Sequence, residues 1–179
     1  MSKAEQVPYR LLESHGAIEI RHYPALIVAE TEVVGKRKSA IEAGFRSLAA
    51  YIFGGNQKSE RIAMTAPVMQ GVAGDHWRVR FVMPRDKNLS SLPLPNNDRV
   101  SLLEIPPTTF AVIRYSGTAG EEVIASQTNR LFDFMRSRAL SSVDSPVYAF
   151  YNPPWTLPFL RRNEILVEIS PDDDPNRTE

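Results

Sequence analysis

Apolar Ile18 and Ile20 alternate with Glu19 and Arg21 up to His22, which predicts a strand broken at Tyr23-Pro24. Ala25 to Val34, rich in Val, Ile and Thr, predicts a second strand. Ile41, Phe45, Leu48 and Ile52 then recur at the spacing of one helix face. Ser39 with Glu42 reads as the capping box that opens this helix, and Gly54-Gly55 as its stop. Arg61 to Met69 predicts another strand. Trp77, Val79, Phe81 and Met83 against Arg78 and Arg80 form the cleanest alternation in the chain.

Residues 84–99, with three prolines and two adjacent asparagines, read as a connector. The plan then repeats. Ser101 to Ile105, the Pro106-Pro107 break and Phe110 to Tyr115 predict a strand pair. Thr118 with Glu121 reads as a capping box before a helix carrying Ile124, Leu131, Phe134 and Met135. Val147 to Tyr151 and Glu164 to Ile169 complete the set, and the acidic stretch 171–179 reads as a frayed polar tail. The prediction is an α+β fold, a curved antiparallel sheet or open barrel with two helices. It is built from two pseudo-symmetric ββαββ halves at about 10–85 and 99–170, within a single domain over 10–170. Alternating residues imply sheets with one wet face.

Composition narrows the function. In 179 residues, hydrophobic positions make up 42% and charged ones 23%, enough for a core. Lys+Arg 21 balance Asp+Glu 21, which argues against a broad nucleic-acid or anionic-membrane footprint. The absence of cysteine excludes a thiolate metal site, a disulfide scaffold and a Cys nucleophile. No apolar run reaches the roughly 20 residues of a membrane span, and no secretory signal is visible, so a cytoplasmic protein is expected. The three histidines have no chelating spacing, and no phosphate loop, dinucleotide motif or nucleophile elbow is present.

Four features remain as candidates. His22 shares strand parity with Ile18 and Ile20. It reads either as a strand-end histidine satisfied by a backbone carbonyl, or as a neutral imidazole offered to a metal at an apolar rim. Glu42, Arg46, Ala49 and Phe53 form a second face of the first helix, either an ordinary exposed side or the wall for a flat hydrophobic ligand with an acidic edge. Lys36-Arg37-Lys38 reads either as a solvated loop or as an anion lure. Tyr151-Asn-Pro-Pro-Trp-Thr-Leu-Pro-Phe-Leu-Arg-Arg162 is a proline-stiffened run that displays Trp155, Leu157 and Phe159, to cover a core edge or a groove. Arg161 and Arg162 at its end are placed to meet carboxylates.

Ile18-Glu-Ile-Arg-His-Tyr-Pro-Ala25, Gly44-Phe-Arg-Ser-Leu48, Tyr51-Ile-Phe-Gly-Gly-Asn56, Arg61-Ile-Ala-Met-Thr-Ala-Pro-Val68 and Tyr151-Asn-Pro-Pro-Trp155 through Arg161-Arg-Asn-Glu164 occur in order. With these stretches the chain resembles the SOUL family of haem-binding proteins. The resemblance implies a distorted antiparallel barrel with two helices, built from a repeat shared with GyrI-like effector-binding domains. It implies non-covalent binding of haem or free porphyrin, with His22 at the position of a proposed axial iron ligand. It also implies a groove in which Phe45 and Ala49 of the first helix and the Trp155–Phe159 loop contact the ligand. The basic residues that meet the propionates in animal members fall on Glu42 and Ala50, so Arg46, the 36–38 cluster or Arg161 must substitute. The expected partner is a small-molecule tetrapyrrole, held by a carrier, buffer or sensor. The alternatives are an effector-type module for another flat ligand, and an enzyme acting on a tetrapyrrole, for which no acid–base pair stands out.

Overall fold

The computed structural model describes residues 3–153 and 155–177. Pro154, one of the loop prolines, and the last two tail residues lie outside the described residues. In chain order the elements are β1 (Glu5–Gln6), β2 (Arg10–His15), β3 (Ile18–Tyr23), β4 (Leu26–Val34), α1 (Arg37–Ile52), β5 (Thr65–Ala66), β6 (Val68–Ala73), β7 (His76–Val82), β8 (Ser101–Ile105), β9 (Thr108–Tyr115), α2 (Glu121–Ser137), β10 (Val147–Phe150) and β11 (Asn163–Glu168), with short 3-10 turns at Pro158–Leu160 and Pro171–Asp173. This is the α+β, antiparallel, two-helix fold expected from the sequence.

The chain forms two compact units. One holds the segment up to Val7 with Ala25–Pro106, the other Pro8–Pro24 with the segment from Pro107 onward. In the first unit the antiparallel strand order is β6-β7-β4-β8. In the second it is β10-β11-β9-β3, with β2 paired outside β3. The repeat is plain in these orders, with one exchange: β8, the leading strand of the second half, takes in the first unit the place that β3 takes in the second.

In the first unit α1 lies across β4 and β7 and buries Ala40, Gly44, Leu48, Tyr51 and Ile52. Gly44 is needed there. A Cβ at that position would stand 2.7 Å from Val79 Cγ2 and 3.3 Å from Thr31 Cγ2. Val79 and Phe81 face the helix, while Arg78 and Arg80 on the other side of β7 pair with Glu32 at 3.0 Å and Glu30 at 2.5 Å. In the second unit Ile124, Leu131 and Met135 of α2 meet Ile18, Ile20, Ala111, Ile113, Ile165 and Val167.

Both capping boxes fail. Lys36 is the residue that precedes α1, so Ser39 lies inside the helix, with its hydroxyl donating to the Lys36 carbonyl at 3.1 Å. The basic residues 37 and 38 are good helix formers, and the helix extends back until Gly35, at φ +131, ends it. At α2 the helix starts after Gly120 rather than Thr118, with Glu121 and Glu122 in its first turn, where the dipole favours them. Phe45 was expected on the core stripe, but it is 41% exposed, at the edge, its ring packed edge-on against Phe81 at 5.2 Å. The strand expected over 61–69 is confined to Thr65–Ala66 and the segment from Val68, with a cis Ala66–Pro67 bond between them. The tail is anchored rather than frayed: Asp173 accepts from the Ser141 amide and Asp174 from the Thr109 hydroxyl, both at 2.8 Å.

Candidate functional site

In the first unit, Phe45 and Ala49 of α1 and Phe53, the residue that caps its C-terminus, lie four residues apart, which places them in one row along the helix. At 1.5 Å per residue the row spans about 12 Å. Phe53 is 58% exposed and Ala49 is partly covered. Arg46 stands exposed beside the row. At the C-terminal end of α1 the chain turns at Gly54, φ +111, and is locked by Asn56, a buried side chain whose four polar contacts are all made. Its amide donates to the carbonyls of Tyr51 and Glu60, and its oxygen accepts from the amides of Lys58 and Glu60, at 2.8–3.2 Å. The chain then returns to bridge Phe53 with Arg61, whose guanidinium lies 5.5 Å from the Phe53 ring centre. Beside it lies a cleft of about 520 Å³ lined by Glu5, Arg61, Ile62, Pro84, Arg85 and Lys87.

In the second unit, Trp155 is 83% and Phe159 71% exposed, with Leu157 and Leu160 also open. A turn made by Thr156 and Leu160 amides on the carbonyls of Pro153 and Leu157 holds the loop, and Arg161 Nε donates to the Thr156 carbonyl at 2.7 Å. The loop displays its apolar side chains instead of covering a core edge with them.

His22 is partly buried at the end of the row that holds Ile18 and Ile20. Its Nδ1 lies 2.9 Å from the Thr109 hydroxyl oxygen, and the Asn176 amide is 3.3 Å from the same nitrogen. Thr109 donates its one hydroxyl proton to Asp174, so towards His22 it accepts. Nδ1 thus faces an acceptor in the Thr109 hydroxyl and a donor in the Asn176 amide, while Nε2 has no protein partner among the described residues. With the proton on Nδ1, held by Thr109, the ring would offer its Nε2 lone pair to a metal, its other nitrogen fixed by an outer hydrogen bond. The carbonyl partner of the simpler reading is replaced by the Thr109 hydroxyl. Among the described residues no three His, Asp or Glu side chains cluster to hold a bare ion. A haem iron needs only one such axial nitrogen.

The opposite face of β3 holds what sequence reasoning missed. Arg21, expected on a wet face, is wholly buried. It donates to both carboxylate oxygens of Glu164 at 2.8 Å, to the Tyr23 hydroxyl at 3.0 Å and to Glu19 at 2.6 Å, and lies 4.1 Å from the Tyr9 ring centre. Arg162 adds bonds to Glu164 at 3.0 and 3.1 Å and sits 4.0 Å from the Tyr151 ring centre. Burial pushes the Glu164 carboxyl up, but the Arg21 hydrogen bonds and the charges of Arg21 and Arg162 outweigh it and hold it below the usual range. Burial pushes the Tyr23 phenol up to about 12 and the Tyr151 phenol further. The only sequence signal was Arg162 two residues before Glu164, which share a strand side.

Residues 4–168 match the family described as SOUL heme-binding protein. The chain belongs to this family. It is 30% identical over 160 residues to heme-binding protein 2 of Homo sapiens, covering 84% of this chain and 77% of that protein. It is 28% identical to heme-binding protein 1 of Xenopus tropicalis, over 83% of this chain and 82% of that one. Among solved structures, the fold of this SOUL-family chain is similar to the C-terminal domain of EcmrR, at TM-score 0.67 and 13% identity, over 90% of this chain and 97% of that domain. It is also similar, at TM-score 0.53 and 9% identity over 87% and 95% of the two chains, to SAV2435 bound to tetraphenylphosphonium. No helix among the described residues is long and apolar enough to cross a membrane.

Proposed function

We propose that this chain binds haem or a related tetrapyrrole, non-covalently and without turnover, as a carrier, buffer or sensor. The observation that carries the reading is the Phe45–Ala49–Phe53 row, which leaves two aromatic rings 41% and 58% exposed on one helix face. Apolar burial of a macrocycle there supplies the affinity, and Arg46 stands exposed beside the row. Trp155 and Phe159 offer a second displayed apolar surface, with Arg161 partly committed to its own loop. His22, in the other unit, is proposed separately as an iron ligand. The family names carried by the human and Xenopus relatives point the same way.

Haemin titration followed in the visible spectrum tests this. A saturable Soret shift at one equivalent is expected, and no shift would overturn the reading. His22→Ala should move the Soret position more than the Kd, since the ligand's apolar area outweighs one coordinate bond in affinity. An unchanged spectrum in a folded variant would remove His22 from the iron.

A second reading, an effector-type module, is favoured by the fold likeness to EcmrR and by the tetraphenylphosphonium named for SAV2435. A lipophilic cation needs a buried acid with aromatic walls. Glu164 is such an acid, but Arg21 and Arg162 already neutralise it. Thermal stabilisation by tetraphenylphosphonium with no haemin response would shift the choice to this reading.

A further inference from the structure

The proposed platform has a defined polar end. Phe53, the last member of the α1 row, carries the Arg61 guanidinium 5.5 Å from its ring centre, and the two residues form a backbone bridge. This placement is held from both sides. Asn56 fixes the intervening turn with four hydrogen bonds, and the Ile62 amide donates to the Ile52 carbonyl at 2.8 Å. Two neighbouring cations are committed: Arg85 pairs with Glu5 at 3.2 Å, and Lys87 with Glu60 at 2.7 Å. No carboxylate among the described residues lies within ion-pairing distance of Arg61, which is exposed. An arginine seated at an aromatic ring, with its charge unspent, matches a planar ligand that ends in a carboxylate. The ring receives the plane and the guanidinium fork takes the acid.

We propose that Arg61 is the carboxylate-binding residue of this chain, receiving the propionate edge of a tetrapyrrole that lies on Phe53 and the α1 row. The proposal rests on the tetrapyrrole reading above and adds to it a residue and a specificity: free diacids over their esters. Arg61 supplies the cation that Glu42 and Ala50 do not. Arg46 lies beside the row without an aromatic seat.

Haemin and its dimethyl ester, titrated into the full chain and into Arg61→Gln, form a four-way comparison. The wild type should bind the diacid about five- to tenfold more tightly than the diester, the size of a partly exposed charged hydrogen bond. Arg61→Gln should lose that preference by weakening haemin alone, and Arg61→Lys should restore part of it. Equal weakening of both ligands would overturn the proposal, since Arg61 would then act only by steadying Phe53. Unchanged haemin binding in Arg61→Gln would overturn it too. Binding of neither ligand by the wild type overturns the tetrapyrrole reading itself, a distinct failure that takes this inference with it. Matching circular dichroism and melting curves of the variants establish that each is folded.

Discussion

Replacing Glu164 with Gln keeps its shape and removes the one charge that Arg21 and Arg162 share. Arg21 would stay wholly buried, with Glu19 as its remaining acid and the Tyr23 hydroxyl as a neutral partner. Removing one partner of a buried pair costs about 3–5 kcal/mol, because the other charge is left uncompensated in a medium that solvates it poorly. Glu164→Gln should lose that amount in urea denaturation and, at this chain length, about 6–20 °C in Tm. Arg21→Met with Glu164→Leu should lose less than Glu164→Gln alone, as no wholly buried charge remains and the Glu19 and Arg162 left behind are partly exposed. The pH dependence has a definite sign. The folded Glu164 pKa lies below its unfolded value, so its contribution is complete above about pH 4.3 and is lost as pH falls through the folded pKa. The variant should show a shallower acid limb than the wild type. A loss under about 1 kcal/mol, with an unchanged acid limb, would refute the conclusion that this network is shut off from water.

Gly44→Ala should destabilise by about 1–2 kcal/mol, as overpacking against Val79 outweighs the helix-propensity gain; equal or raised stability would show that α1 can lift from β7. Phe45→Ala should cost about 2–3 kcal/mol, scaled down from a fully buried ring because 41% of it is exposed, and should weaken haemin binding several-fold; a stability loss with unchanged binding would confine Phe45 to packing. Burial pushes the Tyr51 phenol up to about 12, as it does Tyr23, so an alkaline absorbance titration should leave both un-ionised at pH 11, checked by Tyr51→Phe and Tyr23→Phe.

Periodicity read the elements because it reports which residues share a side. Ile18 and Ile20 on β3, Val79 and Phe81 on β7, and Ile124, Leu131 and Met135 on α2 all lie in cores as their spacing required. It does not report whether the opposite side is wet. Arg21 alternates with apolar residues as a solvated arginine would, and its burial depends on Glu164, 143 residues away. The helix starts were misread because Ser39-Glu42 and Thr118-Glu121 have the right spacing at the wrong offset. Lys36 and Gly120, not the hydroxyl residues, mark where the backbone leaves the helix. His22 was legible as a candidate from strand parity. Its hydrogen-bond partners were not, because Thr109, Asp174 and Asn176 come from distant segments. Arg61 opens one of the matching stretches, but nothing in the sequence marked its seat on Phe53, which the Gly54–Glu60 turn creates.

The duplication supplies an internal control for the ligand surface. α1 and α2 hold the same place in two copies of one plan, each lying on the sheet of its own unit. The outward side of α2 is what an unoccupied surface helix shows: Glu122, Ser126, Asn129, Arg130, Asp133 and Arg136 are exposed. Its Phe134 is partly buried, packed 5.2 Å from His15 and 5.6 Å from the Arg138 guanidinium. On α1 the outward side carries Phe45 and Phe53, and the larger exposed ring is met only by an unpaired arginine. The fold therefore does not require aromatic residues on the open side of its helix, because the second copy forms without them. Exposed phenylalanines gain nothing from water and add a risk of self-association. The proposed ligand, by covering them, would account for their presence on one copy alone. On this argument, exchanging Phe53 for the polar residues that α2 presents should leave the melting temperature within a few degrees and weaken haemin binding by an order of magnitude. A variant that keeps full affinity would place the ligand elsewhere on the chain.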